Sequence, residues 1–399
     1  MFDPKKPYEI IGGKPDLQSK TVLFLDHGLY VHFARAAARG FGKAYYWTPW
    51  QREFPDGNSL TIGDGYPELI RLEEWETLED SIDLFVALDL GFGATVERLR
   101  NAGRRVWGAG AGERLELDRR YFRDTLESLG LAVQTAHWCH GIDELEACLR
   151  KHDDVYVKIS TLRGAMETWN SPNYEASRMR LWELRQTMGA RALVTWFLVE
   201  HAIEAVAEVG YDGYCIDGEY PARSAYGYER KDCGYLGMIE EYDRLPEAVR
   251  EVNDALAPVL KEARYRGKIS TEIRIEEDGT FYFTDITCRC PSPPTELTGE
   301  WYRNWPEILW EGGGGRVIDP EPVAKYGAEA TIRSWFGEKG WLNVQYPKSI
   351  ADRVKLRNGC VIDGTEYVVP LEAKMEEVGG VIGLGKTLMA ACEDCAEVG

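Results

Sequence analysis

The chain has 399 residues, a length that calls for two or three domains rather than a single core. Its 47 basic residues are outnumbered by 66 acidic ones, and the net charge of -19 repels polyphosphate backbones. Strong non-specific nucleic-acid binding is therefore excluded, whereas one nucleotide held by a local cation cluster is not. Nine scattered cysteines, an odd number, fit a reducing cytoplasm better than a disulfide framework. Cys392 and Cys395 form a CxxC without a second pair, and Cys288 and Cys290 alternate as small strand residues. The start, MFDPKKPYEI, has no apolar signal core, and the best apolar run, Ala192 to Val199, is too short to span a bilayer. The expectation is a cytoplasmic protein with no membrane association.

From residue 21 onward, short apolar runs alternate with helical patterns. TVLFLDHG (21 to 28) reads as a buried strand and Tyr30 to Arg39 as an Ala-rich helix. KAYYWTP (43 to 49), ELIRLEEW (68 to 75) and DLFVALDLG (83 to 91) read as strands, GATVERLRNAG (93 to 103) as a helix, and RRVWGAG (104 to 110) as a further strand. This alternation predicts βαβ units and a parallel sheet. The first strand lacks a following GxGxxG, so a nicotinamide dehydrogenase is rejected.

A helix is expected from Glu113 to Leu129, with Leu115, Phe122 and Leu126 in an apolar stripe and Arg119 and Arg123 on another face. AVQTAHWC then reads as a strand, GIDELEACLRKH as a helix, DVYVKIS (154 to 160) as a strand carrying Lys158, and 161 to 173 as a flexible loop. The segment 192 to 220 suggests two strands with a turn at Asp217-Gly218, and a long polar helix spans about 246 to 264. In 265 to 294, two alternating strands joined by Glu-Asp-Gly give a strong hairpin signal. The tail from about 320 reads as small strands ending in a helix, VIGLGKTLMAACEDC.

The hairpin carries the most chemistry. Alternation sets Glu272 and Arg274 on one face of the first strand, and Asp285, Thr287 and Arg289 on one face of the second. Carboxylates beside guanidiniums suit a divalent cation bridging phosphates. A solvated face with cross-strand ion pairs has the same periodicity, so the pattern alone leaves both readings open.

YRG, an acidic residue in the first strand, and then GTFYFTDITCR together resemble the metal-binding hairpin of the ATP-grasp superfamily, and are especially similar to biotin carboxylase. The resemblance implies Glu272 and Asp285 as ligands of Mg²⁺ or Mn²⁺, Thr287 in the place of an asparagine ligand, and Arg289 at phosphate or the acyl group. LDRRYFRDTLESLGLAVQT is similar to the superfamily's nucleotide-contacting helix, which implies Arg119 and Arg123 as ATP contacts. VYVKIS resembles the strand whose lysine meets the α/β-phosphates, here Lys158, and TLRGAMETW, with Gly164, stands where the glycine-rich lid is usual. WFLVEHAIEAVAEVGYDG resembles the adenine hinge strand. That likeness implies backbone groups of Glu200, His201 and Ala202 at the adenine edge and Glu208 at the ribose hydroxyls, with Glu204 as its substitute.

The whole layout also resembles phosphoribosylamine-glycine ligase, with two departures. DHGLYVHFA replaces its Gly-rich first loop, and Thr287-Cys-Arg289-Cys-Pro-Ser-Pro-Pro replaces its Asn-x-Arg-Phe-Gly-Asp-Pro-Glu. The expected fold is ATP-grasp, α/β and α+β: a Rossmann-like parallel-sheet domain over 1–110, an ATP-grasp domain over 111–320 in two lobes divided near 195, and a small α+β domain over 321–399. The implied reaction is ATP-dependent joining of a small-molecule carboxylate, such as an amino acid like glycine, to an amine through an acyl phosphate. Arg289 and Arg274 would orient the carboxylate. A kinase of the same fold and a nucleotide-binding protein without turnover stay open, as does assembly as a homodimer. Asp26, His27 and Gly28 mark the sheet edge where the amine would bind, His27 being more often a structural residue there.

Overall fold

A computed structural model describes residues 15–49, 58–160, 168–230, 233–337, 340–370 and 377–399. The chain folds as two compact units. Unit 1 comprises Met1–Glu113, Val209–Ser270 and Thr287–Gly399, and unit 2 comprises Arg114–Glu208 and Thr271–Ile286. No helix among the described residues is long and apolar enough to cross a membrane.

Unit 1 opens with β1 (Thr21–Leu25), α1 (Val31–Ala38), β2 (Lys43–Trp47), α2 (Asn58–Thr61), β3 (Ile70–Arg71), β4 (Leu84–Ala87), α3 (Gly93–Asn101) and β5 (Val106–Trp107). The strands form the expected sheet, in the order β3-β2-β1-β4-β5, with β1 parallel to both neighbours. Both faces are covered, which is why β1 and β4 read as continuous apolar runs. Phe33, Ala34 and Ala37 of α1 share a core with Val22 and Phe24. On the other face Val96 and Leu99 of α3 pack with Leu23, Leu25 and Phe85.

Unit 2 contains α4 (Arg114–Leu117), α5 (Arg119–Ser128), β6 (Ala136–His140), α6 (Ile142–Leu149), β7 (Val155–Ile159), β8 (Thr168–Ser171), α7 (Tyr174–Met188) and β9 (Trp196–His201). Its four strands are antiparallel, in the order β6-β9-β7-β8. The boundary at 208/209 falls inside β10 (Ala205–Ile216). After it come β11 (Arg223–Arg230), β12 (Gly234–Glu241), α8 (Glu247–Glu262), and the hairpin strands β13 (Arg266–Glu276) and β14 (Phe281–Thr287). The remaining elements are α9 (Thr295–Trp301), α10 (Trp305–Gly313), β15 (Tyr326–Arg333), β16 (Leu342–Asn343), β17 (Val354–Leu356), β18 (Gly359–Ile362), β19 (Thr365–Val368), β20 (Glu377–Gly385) and α11 (Leu388–Ala396).

Four local expectations change. The helix expected over 113 to 129 breaks at Asp118, which is extended and caps α5 by accepting from the Tyr121 amide at 3.0 Å. An Asp oxygen on an otherwise orphaned amide outweighs the uninterrupted period. In the segment expected as a loop, 161–167, Gly164 included, lies outside the described residues, while Thr168–Ser171 pairs with β7 as β8. In 192 to 220 the interruption falls at 202 to 204, and Asp217 and Gly218 (φ 50° and 85°) follow β10 as a turn. Finally, VIGLG belongs to β20 rather than to the last helix, whose cap is Thr387. β20 lies between β15 and β17, and β15 pairs with β12, so the tail is continuous with the antiparallel sheet of unit 1 instead of standing apart.

Replacing the cap, Asp118→Ala, is expected to lower stability by about 1 kcal/mol in urea denaturation. An unchanged unfolding midpoint would show that α5 does not depend on it.

Candidate active site

Alternation along β7 and β9 gives the unit 2 sheet two different faces. Val155, Val157 and Ile159 are buried with Phe197 and Val199 against Ile142 and Leu145 of α6 and Leu181 and Leu184 of α7. Tyr156, Lys158 and Glu200 therefore point to the opposite face. Tyr156 is directly opposite Glu200 and Lys158 opposite Leu198, which makes Lys158 and Glu200 diagonal neighbours.

On that face the charges are closely matched. Lys158 Nζ lies 2.9 Å from Glu200 Oε2, and Arg123 is 3.4 Å from Glu200 Oε1. The Lys158 and Glu200 side chains are only 12% and 9% exposed. Lys158 also donates to the Thr284 carbonyl of β14 at 3.2 Å. Arg119, 5% exposed at the first turn of α5, donates through Nε to the Ile159 carbonyl and stands 3.9 Å from Asp285. Phe122 of α5 packs edge-on against Phe283. Between these groups is a cavity of about 20 Å³, room for about one water. It is too small to hold a nucleotide.

The hairpin forms as expected, closed by the Glu276 amide donating to Thr280 at 2.8 Å. Its acids enter different contacts. Glu272 is held by Arg274 at 3.1 Å and by the Thr284 hydroxyl at 3.1 Å, whereas Asp285 faces Arg119. Arg274 also reaches Glu208 at 3.4 Å.

Unit 1 has its own polar cluster, at the carboxyl ends of β1 and β4, where the strand order reverses. Ligands of open parallel sheets gather at that switch point. Asp26 is fully buried and accepts from the His27 and Tyr30 amides and from the Tyr46 hydroxyl. Burial, reinforced by Asp89, raises its pKa to about 6 against the pull of those hydrogen bonds. His27 Nδ1 lies 3.3 Å from Asp89, and its ring stacks on Phe92. Burial opposes the charge on His27, but the hydrogen bond to Asp89 and the nearby carboxylates outweigh it and raise its pKa. Burial likewise works against the Asp89 anion, and His27 and Arg289 overcome it, so its pKa is lowered. Arg289 is 3.8 Å from Asp89 and donates to the Tyr30 hydroxyl. The loop after β4 is pinned by Glu113, which accepts from the Gly91 and Gly93 amides at 3.0 Å. A Cβ at Gly93 would sit 2.4 Å from that carboxylate, so only glycine permits the approach.

The expected site residues thus divide. Arg119, Arg123, Lys158, Glu200, Glu208, Glu272, Arg274 and Asp285 all belong to unit 2, while Thr287 and Arg289 belong to unit 1. Lys158, expected at the α/β-phosphates, is paired with Glu200. The amides of His201 and Ala202 donate to the Thr135 and Asp154 carbonyls, so the donors expected for an adenine edge are engaged in strand pairing. Sequence reasoning missed the Glu200 side chain as an ion-pair partner and Asp89 as the residue that orients His27 and Arg289. Asp89 ends a buried strand just before a glycine, and that position was its signal.

The fold these units build is the ATP-grasp fold, which several solved structures share across nearly their whole length. Phosphoribosylamine-glycine ligase of Thermotoga maritima matches with a TM-score of 0.70 at 16% identity, over 95% of this chain and 96% of that one. The L-amino acid ligase of Bacillus licheniformis matches with a TM-score of 0.60 at 15% identity, over 95% and 97%. The biotin carboxylase domain of the Hydrogenobacter thermophilus 2-oxoglutarate carboxylase matches with a TM-score of 0.61 at 12% identity, over 95% and 89%. No protein-family profile matches the sequence, and no curated protein matches it. At these identities the likeness establishes the fold alone.

Because the Asp26 pKa is raised on folding, the folded state holds this proton more tightly than the unfolded chain. Stability is therefore lost as pH rises from about 4 to about 6, by about 3 kcal/mol in all. Denaturation at pH 4 and pH 7 should show this loss in the wild type and a smaller one in Asp26→Asn. Parallel pH dependence in the two proteins would contradict the assignment.

Proposed function

We propose that this chain is an Mg-ATP-dependent carboxylate-amine ligase. The observation that carries the reading is the convergence, within unit 2, of Lys158 and Arg119 on β14 beside Asp285. Its support from outside the chain is a fold shared with ligases, among them the carboxylase domain solved with MgADP and bicarbonate.

Lys158, Arg119 and Arg123 bind the phosphates of ATP. Two of these cations share the one buried carboxylate of Glu200. The second partner of Arg123, Glu127, is half exposed and screened by solvent. A phosphate would meet cations that Glu200 and Asp285 already gather on this face. Glu272 and Asp285 fit a hard divalent cation, being carboxylates whose arginine neighbours suit phosphate oxygens. Mg²⁺, when bound there, would neutralise charge on the transferring phosphoryl group. The γ-phosphoryl passes to a substrate carboxylate, and an amine attacks the resulting acyl phosphate to give an amide, ADP and phosphate. Such transfer depends on positioning and charge stabilisation rather than on a protein nucleophile. Glu208 is the acceptor offered to the ribose, with Arg274 holding it in place.

Arg289, set by Asp89 and Tyr30, supplies a guanidinium fork for a carboxylate at the sheet edge of unit 1. The acid is an amino acid such as glycine, and the amine belongs to a metabolite bound at the ends of β1 and β4. A second reading, nucleotide binding without turnover, is favoured by one fact: Lys158, Glu272 and Asp285 all have partners within the protein.

The test is ADP release with Mg-ATP across pools of carboxylates and amines, with products identified by mass spectrometry. ADP release that needs both substrates is the expected result, and Lys158→Ala and Asp285→Asn should each lower it by roughly 10²- to 10³-fold. Release without any amine, with a stable phosphorylated product, would identify a kinase. Tight ATP binding without ADP would identify a protein that does not turn over. Unchanged turnover in either variant would overturn the site.

A further inference from the structure

Three of the six histidines in the sequence meet at one place in unit 2, and the proposed reaction uses none of their side chains. His137 lies on β6, His201 ends β9, and His152 is in the turn between α6 and β7. One ring nitrogen from each falls within 4.8 Å of the others. The His137 and His152 rings stack at 4.2 Å, and the His201 ring stands edge-on to both at 5.8 and 5.5 Å.

Sheet register explains the meeting. His137 is directly opposite Val199, so it is the diagonal neighbour of His201 on the same face. The His201 and Ala202 amides fix the end of β9 to Thr135 and Asp154, and Asp154 lies two residues beyond His152. Both backbone anchors therefore adjoin the ring cluster. Because Glu200 and His201 are consecutive on β9, the histidines face away from the Lys158 cluster.

We propose that His137, His152 and His201 bind one divalent transition ion of the Zn²⁺ class, with water at the fourth position. Stacking alone would explain one ring pair, but not three nitrogens converging. Nε2 of His137 is shielded from solvent and has no hydrogen-bond partner among the described residues, which leaves a ligating position open. A donor set of imidazoles suits Zn²⁺, Co²⁺ or Ni²⁺ and is wrong for Mg²⁺ and Ca²⁺, which take oxygen ligands. Zn–N bonds of about 2.0 Å in a tetrahedron place the nitrogens about 3.3 Å apart, a closure that small side-chain rotations supply. The ion would tie β6, β9 and the start of β7 together behind the face that carries Glu200 and Lys158.

Full-length protein, stripped with chelator, is titrated with Zn²⁺ alone by calorimetry and with Co²⁺ alone by visible absorption, and the Zn²⁺ form is examined by X-ray absorption. One equivalent should bind, with imidazole nitrogens and no sulfur around the metal, and Mg²⁺ should not compete. His152 lies outside the strands, so His152→Asn keeps the fold. Loss of an outer partner costs a metal site roughly 10- to 100-fold in affinity, and loss of this direct ligand should cost at least as much. Absence of stoichiometric binding, sulfur donors in the absorption spectrum, or unchanged affinity in His152→Asn would each overturn the proposal. Should the variant fail to fold, the ligand signature of the wild type decides the matter alone.

Discussion

The Lys158–Glu200 ion pair is the constraint on which the unit 2 site depends. It is held across the β7–β9 register, nearly out of solvent, at 2.9 Å. Desolvating two such charges is expensive, and removing one partner of a buried pair leaves the other uncompensated, typically at about 3–5 kcal/mol. The lysine is thus fixed in place rather than free to search. Arg123 on the second oxygen of Glu200 makes that carboxylate serve two cations.

The pair also shows how one strand end contributes to two side-chain clusters. Along β9, Glu200 points to the charged face and His201 to the face where His137 and His152 lie. Changes that shift the β7–β9 register by one residue would exchange these faces and disrupt both clusters. The apolar residues between them, Val157, Phe197 and Val199, set that register by burying one face against α6 and α7. Packing, charge placement and the histidine cluster are therefore consequences of a single antiparallel alignment.

Much of this was legible in the sequence, for identifiable reasons. The parallel sheet showed through continuous apolar runs between helical segments, and the hairpin through alternation closed by Glu-Asp-Gly. Lys158 stood out as a cation on an apolar strand. The rest depends on partners distant in sequence. Nothing near Lys158 announces Glu200, 42 positions later, and no spacing motif links His137, His152 and His201, because sheet pairing rather than local periodicity joins them. The break at Asp118 and the strand character of VIGLG were hidden for the opposite reason: local helical period argued against them, and a cap and a buried sheet position prevailed. The compact units, each assembled from separated stretches, have no signature in the linear order.

Lys158 and the cations around it are proposed to hold phosphate. The most direct measurement is a crystal structure with Mg²⁺ and a non-hydrolysable ATP analogue. A phosphate oxygen is expected within hydrogen-bond distance of Lys158 Nζ, with Arg119 close by. A nucleotide bound elsewhere, while Lys158 stays closed on Glu200 alone, would contradict it.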